Sequence, residues 1–136
     1  MKPDDVGAEL RECTRNDPAS QSAISTLEQA IGIRLPVEYR ELLQLSNGLE
    51  GFVSDTHYLV LWPIEQVAEL NDGYRVSEFA PGLLLFGSNG GDTGYGFDTR
   101  TEELPIVEVP FVGMSLEQAK QLGTTFAAFL AHLRAD

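Results

Sequence analysis

Nucleophilic catalysis needs a serine or cysteine beside a histidine, with an acid to orient the ring. This sequence holds two histidines, His57 and His132, and one cysteine, Cys13. His57 falls in a run that reads as a strand and His132 in one that reads as the final helix. Cys13 lies in a weakly patterned N-terminal stretch with no flanking motif. The patterns G-x-S-x-G and H-E-x-x-H do not occur, nor does a Walker lysine. Twenty-one acids permit many carboxylate pairs of the kind glycoside hydrolysis uses, and nothing singles out one pair. The expectation is a protein that is not an enzyme and has no catalytic residue.

Asp92 and Asp98 flank a glycine-rich turn and strand, Asp92-Thr-Gly-Tyr-Gly-Phe-Asp98, which raises the question of a metal. An EF-hand loop would place oxygen ligands at alternate positions and end on a glutamate, and that register is missing. On an extended strand Asp92 and Asp98 share a face but stand roughly 20 Å apart, too far to share an ion without a bend. Ser88 to Gly91 lacks the basic residue and the following helix of a phosphate cradle. No metal and no cofactor is expected.

Charge points to a binding role. The chain carries 21 acids against 9 bases, a net of −12. Residues 50–117 hold twelve of the acids, opposed only by Arg75 and Arg100. A field of that sign repels phosphate backbones, so no nucleic-acid partner is expected, and it steers basic proteins inward. Tyr58, Trp62, Tyr74, Phe79, Tyr95 and Phe97 lie in the same stretch. Aromatics on strands are core by default, and any left exposed beside acids would anchor a partner. The candidate contact residues are Asp55, Tyr58, Trp62, Asp92, Tyr95 and Asp98.

The elements that must position these residues can be read from spacing. Residues 4–15 carry Val6, Leu10 and Cys13 on one side, so residues 1–17 are expected to hold a peripheral N-terminal helix. Asp17-Pro18 reads as an N-cap and first helical position, with Ile24, Leu27, Ala30 and Ile31 on one face up to Gly32. Leu35-Pro36 opens a second helix with Tyr39, Leu42, Leu43 and Ser46 on one flank, ended by Asn47-Gly48. The two should form an αα-hairpin. His57 to Trp62 then reads as a strand, and Pro63 starts a helix through Val67 and Leu70 to Asn71-Asp72-Gly73. Leu83 to Phe86 is a strand buried on both faces, followed by the Ser88–Asp92 turn. Tyr95 to Phe97 is its partner strand, and Ile106 to Val109 completes an antiparallel meander. Ser115 and Gln118 resemble a capping box for a short helix. Thr124 or Thr125 caps the last helix, with Phe126, Phe129, Leu130 and Leu133 inward. Helices, then strands, then a helix make an α+β fold rather than alternating βαβ.

At 136 residues and 43% hydrophobic content one domain over residues 1–136 is expected. A polar start without a signal-peptide core, and no run near the roughly 20 apolar residues of a membrane helix, suggest a cytoplasmic protein with no membrane partner.

The order of motifs resembles the SUKH superfamily, the group that joins fungal cell-wall-synthesis regulators and bacterial Smi/Knr-type proteins. The resemblance rests on Ile31-Gly-Ile-Arg-Leu-Pro-Val-Glu-Tyr39 with Leu42-Leu43, then Ser46-Asn-Gly-Leu49, and then Trp62-Pro-Ile64. The glycine-rich hairpin from Phe86 to Asp98, Pro105-Ile-Val107 and Thr125-Phe-Ala-Ala-Phe-Leu130 complete it. The family's usual Asn-Gly-Gly is Asn47-Gly48-Leu49 here. The resemblance covers about residues 20–133. It implies a twisted, mainly antiparallel sheet packed against helices and no shared catalytic set. It further implies a non-enzymatic protein-binding domain of the bacterial immunity type, which neutralises a cognate toxin, often a nuclease. The alternative it implies is a regulatory or scaffold domain binding a peptide or small ligand, as in the cell-wall-regulator relatives.

Overall fold

The computed structural model describes residues 14–54 and 56–134. Its fold is α+β. In chain order the elements are β1 (Thr14–Arg15), α1 (Gln21–Ile31), α2 (Val37–Leu45), β2 (Leu49–Phe52), β3 (Tyr58–Leu61), α3 (Ile64–Gly73) and α4 (Val76–Phe79). There follow β4 (Leu83–Ser88), β5 (Thr93–Asp98), β6 (Ile106–Pro110), β7 (Lys120–Gly123) and α5 (Phe126–Arg134). The strands form one antiparallel sheet in the order β1 to β7, each paired with its neighbour in the chain. Such a meander needs only short connections, which explains the turn-rich texture of residues 82–110.

Alternation decides which residues of the central strands meet the helices. Tyr95 and Phe97 point to one face of β5, where Phe86 of β4, Tyr39 of α2, and Phe126 and Phe129 of α5 close around them. The Tyr39 ring lies 5.6 Å from Phe86, 5.4 Å from Phe97 and 5.7 Å from Phe126, measured between centroids. Tyr95 meets Phe129 edge-on at 5.1 Å. Each such pair adds about 0.5–1.5 kcal/mol beyond the area it buries. The expected stripe of α5 is in place, for Phe126, Phe129, Leu130 and Leu133 are all buried.

Helix α1 begins at Gln21, capped by the Ser20 hydroxyl, which accepts from Ala23 N at 3.0 Å. The expected cap, Asp17, is drawn away because its carbonyl accepts from Asn47 N. Gly32 ends the helix in the left-handed conformation, as read from the sequence. Gln44 near the end of α2 donates to Gln21 at the start of α1, which gives the expected antiparallel hairpin.

Strand β3 pairs with β4 only at Val60↔Ser88 and Leu61↔Gly87 before the chain turns away into α3. The vacated edge of β4 is taken by Asn71 of α3. Its side-chain oxygen accepts from Leu85 N at 2.9 Å and its nitrogen donates to Leu85 O at 2.9 Å. A side-chain amide thus stands in for a strand residue and satisfies both backbone groups.

One expected element changes, one lies outside the described residues and two were not expected. Ser115 does accept from Gln118 N, but only one turn forms, and the chain then enters β7 instead of a helix. The N-terminal helix lies, with Cys13, outside the described residues except at Thr14 and Arg15, which are strand. Strand β2 and helix α4 were not legible, being four residues each. Among the described residues no helix is long and apolar enough to cross a membrane.

Candidate partner-binding surface

The residues singled out for contact divide into three groups. Asp55 lies outside the described residues. Trp62, Tyr95 and Asp98 are buried, with exposures of 7%, 2% and 8%. Tyr58 and Asp92 remain at the surface or its margin.

Each buried member has a structural task, which corrects its placement in a contact surface. Trp62 stacks on Tyr74 at 6.3 Å, and Tyr74 stacks in turn on Phe111 at 4.3 Å, so the Trp62 ring is covered. Tyr95 belongs to the helix-covered face of the sheet. Burial, and then the negative charge of Glu108, push its phenol up to about 12. Asp98 receives Arg100 Nε on Oδ1 at 2.9 Å and an Arg100 terminal nitrogen on Oδ2 at 2.8 Å, and the Arg100 backbone N–H also reaches Oδ1. The Arg100 side-chain hydrogen bonds hold the Asp98 carboxyl below its ordinary range, against the desolvation that raises it. Asp98 therefore locks the β5–β6 turn.

Asp92 sits at the other end of β5, in the β4–β5 turn. It accepts from Thr93 Oγ1 at 3.1 Å and from Asn89 Nδ2 at 3.5 Å. The two aspartates lie at opposite ends of β5, Asp92 in the turn just before it and Asp98 as its last residue. Among the described residues no group of three or more His, Cys, Asp or Glu could hold a metal ion.

Around Tyr58 the structure assembles a surface that sequence reasoning missed. Glu50 and Phe52 alternate with buried Leu49 on β2 and so project outward together. Phe52 is 58% exposed and meets Tyr58 edge-on at 5.0 Å, while the Tyr58 hydroxyl donates to Glu50 Oε2 at 2.7 Å. Gly90 packs under the Tyr58 ring. Its φ is +82°, and a Cβ there would stand 2.9 Å from the ring, so only glycine allows the turn to reach the tyrosine. Glu50, Phe52, Tyr58 and the Gly90–Asp92 turn thus gather at one end of the sheet. The signal that could have found Glu50 and Phe52 is the period-two pattern of Leu49 to Phe52, obscured by Gly51.

Other exposed acids lie elsewhere. Glu65, Glu69 and Asp72 follow one another at i, i+4 and i+7 along α3. Between α1 and α3 runs a shallow apolar cleft of about 400 Å³, lined chiefly by Ala23, Leu27, Ala30, Ile64 and Ala68.

The Asn47-Gly48 pair is a structural clasp. Asn47 Oδ1 accepts from Ile64 N at 2.7 Å, capping α3 where Pro63 offers no side-chain oxygen, and Asn47 Nδ2 donates to Glu65. Gly48 has φ +85°, and a Cβ would lie 2.7 Å from Leu61 O. The motif joins the end of α2 to the start of α3.

An antiparallel meander clasped to helices in this way, with its strongest side-chain networks spent on turns and caps, defines a class of small α+β domain. Residues 18–132 match the model of the SMI1 / KNR4 family (SUKH-1), and the chain belongs to that family. It is also 34% identical over 84 residues to a Bacillus subtilis (strain 168) protein named "Uncharacterized protein YnaB". That match takes in 62% of this chain and 49% of the relative, so it spans about half the relative's length.

Proposed function

We propose that residues 1–136 form one non-enzymatic protein-binding domain, an immunity protein that neutralises a cognate toxin with a basic face. The observation that carries this reading is the exposure of the acids in residues 50–117. Asp98 and Glu78 pair with arginines of the same stretch, whereas Glu50, Glu69, Asp72, Asp92 and Glu103 stand at the surface. A surface so unbalanced attracts a cationic protein from a distance and repels nucleic acid. A nuclease, whose own substrate face must be basic, is the kind of toxin such a surface would cover. The test is co-expression with a toxin domain encoded beside this gene. Restored growth, and a co-purifying complex that weakens as salt rises, are expected. Cell death at full expression of both chains, with no complex, would refute the reading.

A second reading is a regulatory scaffold that binds a peptide or small ligand, and the α1–α3 cleft favours it. A ligand that binds only the folded state raises the melting temperature, so a thermal-shift screen distinguishes the two.

A further inference from the structure

We infer that the sheet end formed by Glu50, Phe52, Tyr58 and the Gly90–Asp92 turn is a seat for an arginine side chain presented by a protein partner. This rests on the protein-binding reading above and gives it a location and a chemistry.

Phe52 is the first reason. A large aromatic on a strand normally turns inward, yet Phe52 keeps 58% of its surface exposed while its neighbours Leu49 and Val53 are buried. It is also held still, because its ring meets Tyr58 at 5.0 Å and 80°, and Tyr58 rests on Gly90. A fixed, exposed ring is a ready surface for a flat cation, since it loses little freedom on binding.

Glu50 is the second. The Tyr58 hydroxyl occupies one side of Oε2 and so orients the carboxylate beside the aromatic pair. A carboxylate has about four acceptor positions, which leaves Glu50 able to take further donors. Asp92, exposed in the turn beside Gly90, adds a second negative charge at the same end.

Together these select arginine over lysine. A guanidinium is planar, stacks on a ring face and gives two parallel N–H bonds to a carboxylate. An ammonium is more strongly hydrated and does neither. The Glu65, Glu69 and Asp72 row on α3 carries three charges, but the aromatic that follows it, Tyr74, already stacks on Trp62 and Phe111, so the row offers attraction without that preference.

The test uses the full chain, labelled with ¹⁵N, titrated with a capped Gly-Arg-Gly-Arg-Gly-Arg peptide and with its lysine counterpart. The largest amide shifts are expected at Glu50 to Phe52, Tyr58 and Gly90 to Asp92, with the arginine peptide binding about threefold more tightly. Phe52→Ala and Glu50→Gln should each weaken the arginine peptide several-fold and leave the rest of the spectrum in place. Shifts centred on α3, equal affinity for the two peptides, or no binding would each overturn the inference. If a toxin is neutralised but these shifts fail, the location falls and the immunity reading stands. If the shifts appear but no toxin is neutralised, the seat stands and the immunity reading falls.

Discussion

Two aromatic groups occupy the two faces of one sheet, and their surroundings differ completely. Tyr39, Phe86, Tyr95, Phe97, Phe126 and Phe129 interlock between the sheet and helices α2 and α5, each with 2% or less of its surface exposed. Phe52 and Tyr58 lie on the opposite face. The pairings Phe52↔Tyr58, Val60↔Ser88 and Ser88↔Gly94 carry that face across to Gly94, whose parity is opposite to that of Tyr95. The first group is closed by helices, and the second ends among acids at a hairpin turn. The same residue type on the same kind of strand thus serves cohesion in one group and stays exposed in the other. Burial decides which, and burial is set by the elements packed above.

Substitutions should separate the two groups by what they change. Phe129→Ala, at a fully buried ring, should lower unfolding free energy by about 3–5 kcal/mol in chemical denaturation. A loss below about 1 kcal/mol would mean that the α5 side is not the core. Asn71→Ala removes the amide that completes the β4 edge and leaves the Leu85 N–H and C=O without their partner. A cost of about 1–3 kcal/mol is expected, together with faster hydrogen exchange at Leu85.

Asp98→Asn should lower stability at neutral pH by a smaller amount, read as a fall in melting temperature. The Asp98 carboxyl is depressed in the folded state, so its contribution is present above the unfolded value of about 3.9 and is lost as pH falls through the folded value. Mutant and wild type should therefore converge at low pH. Tyr39→Phe should have the least effect. The Tyr39 hydroxyl is buried and finds no hydrogen-bond partner among the described residues, and burial pushes its ionisation up. Removing it should be neutral or stabilising within about 1 kcal/mol, and a larger loss would expose a hidden partner.

Much of the fold was legible because its signals are local. Gly32, the Leu83–Phe86 run, the Ser88–Asp92 turn and the α5 stripe are each written in a few adjacent residues. What failed depended on distant partners. Ser20 displaced Asp17 as the cap because Asn47, thirty residues on, takes the Asp17 carbonyl. Asn71 read as a helix terminator, whereas its amide completes a strand fourteen residues away.

The candidate contact surface was less legible than the fold. Asp92 and Asp98 look equivalent around one strand, and only Arg100 turns Asp98 into a turn lock. Trp62 and Tyr95 look like anchors until Tyr74 and Phe129 cover them. Phe52 was overlooked because Gly51 broke the strand pattern that would have shown it facing outward with Glu50.

The most direct test of the account is the affinity of Phe52→Ala, relative to wild type, for the toxin domain proposed as partner, measured by titration calorimetry beside the melting temperature of the variant. Affinity is expected to fall about tenfold or more, as for an aromatic anchor, with melting unchanged within about 2 °C. Unchanged affinity in a normally folded Phe52→Ala variant would contradict the claim that this end of the sheet is where the protein meets its partner.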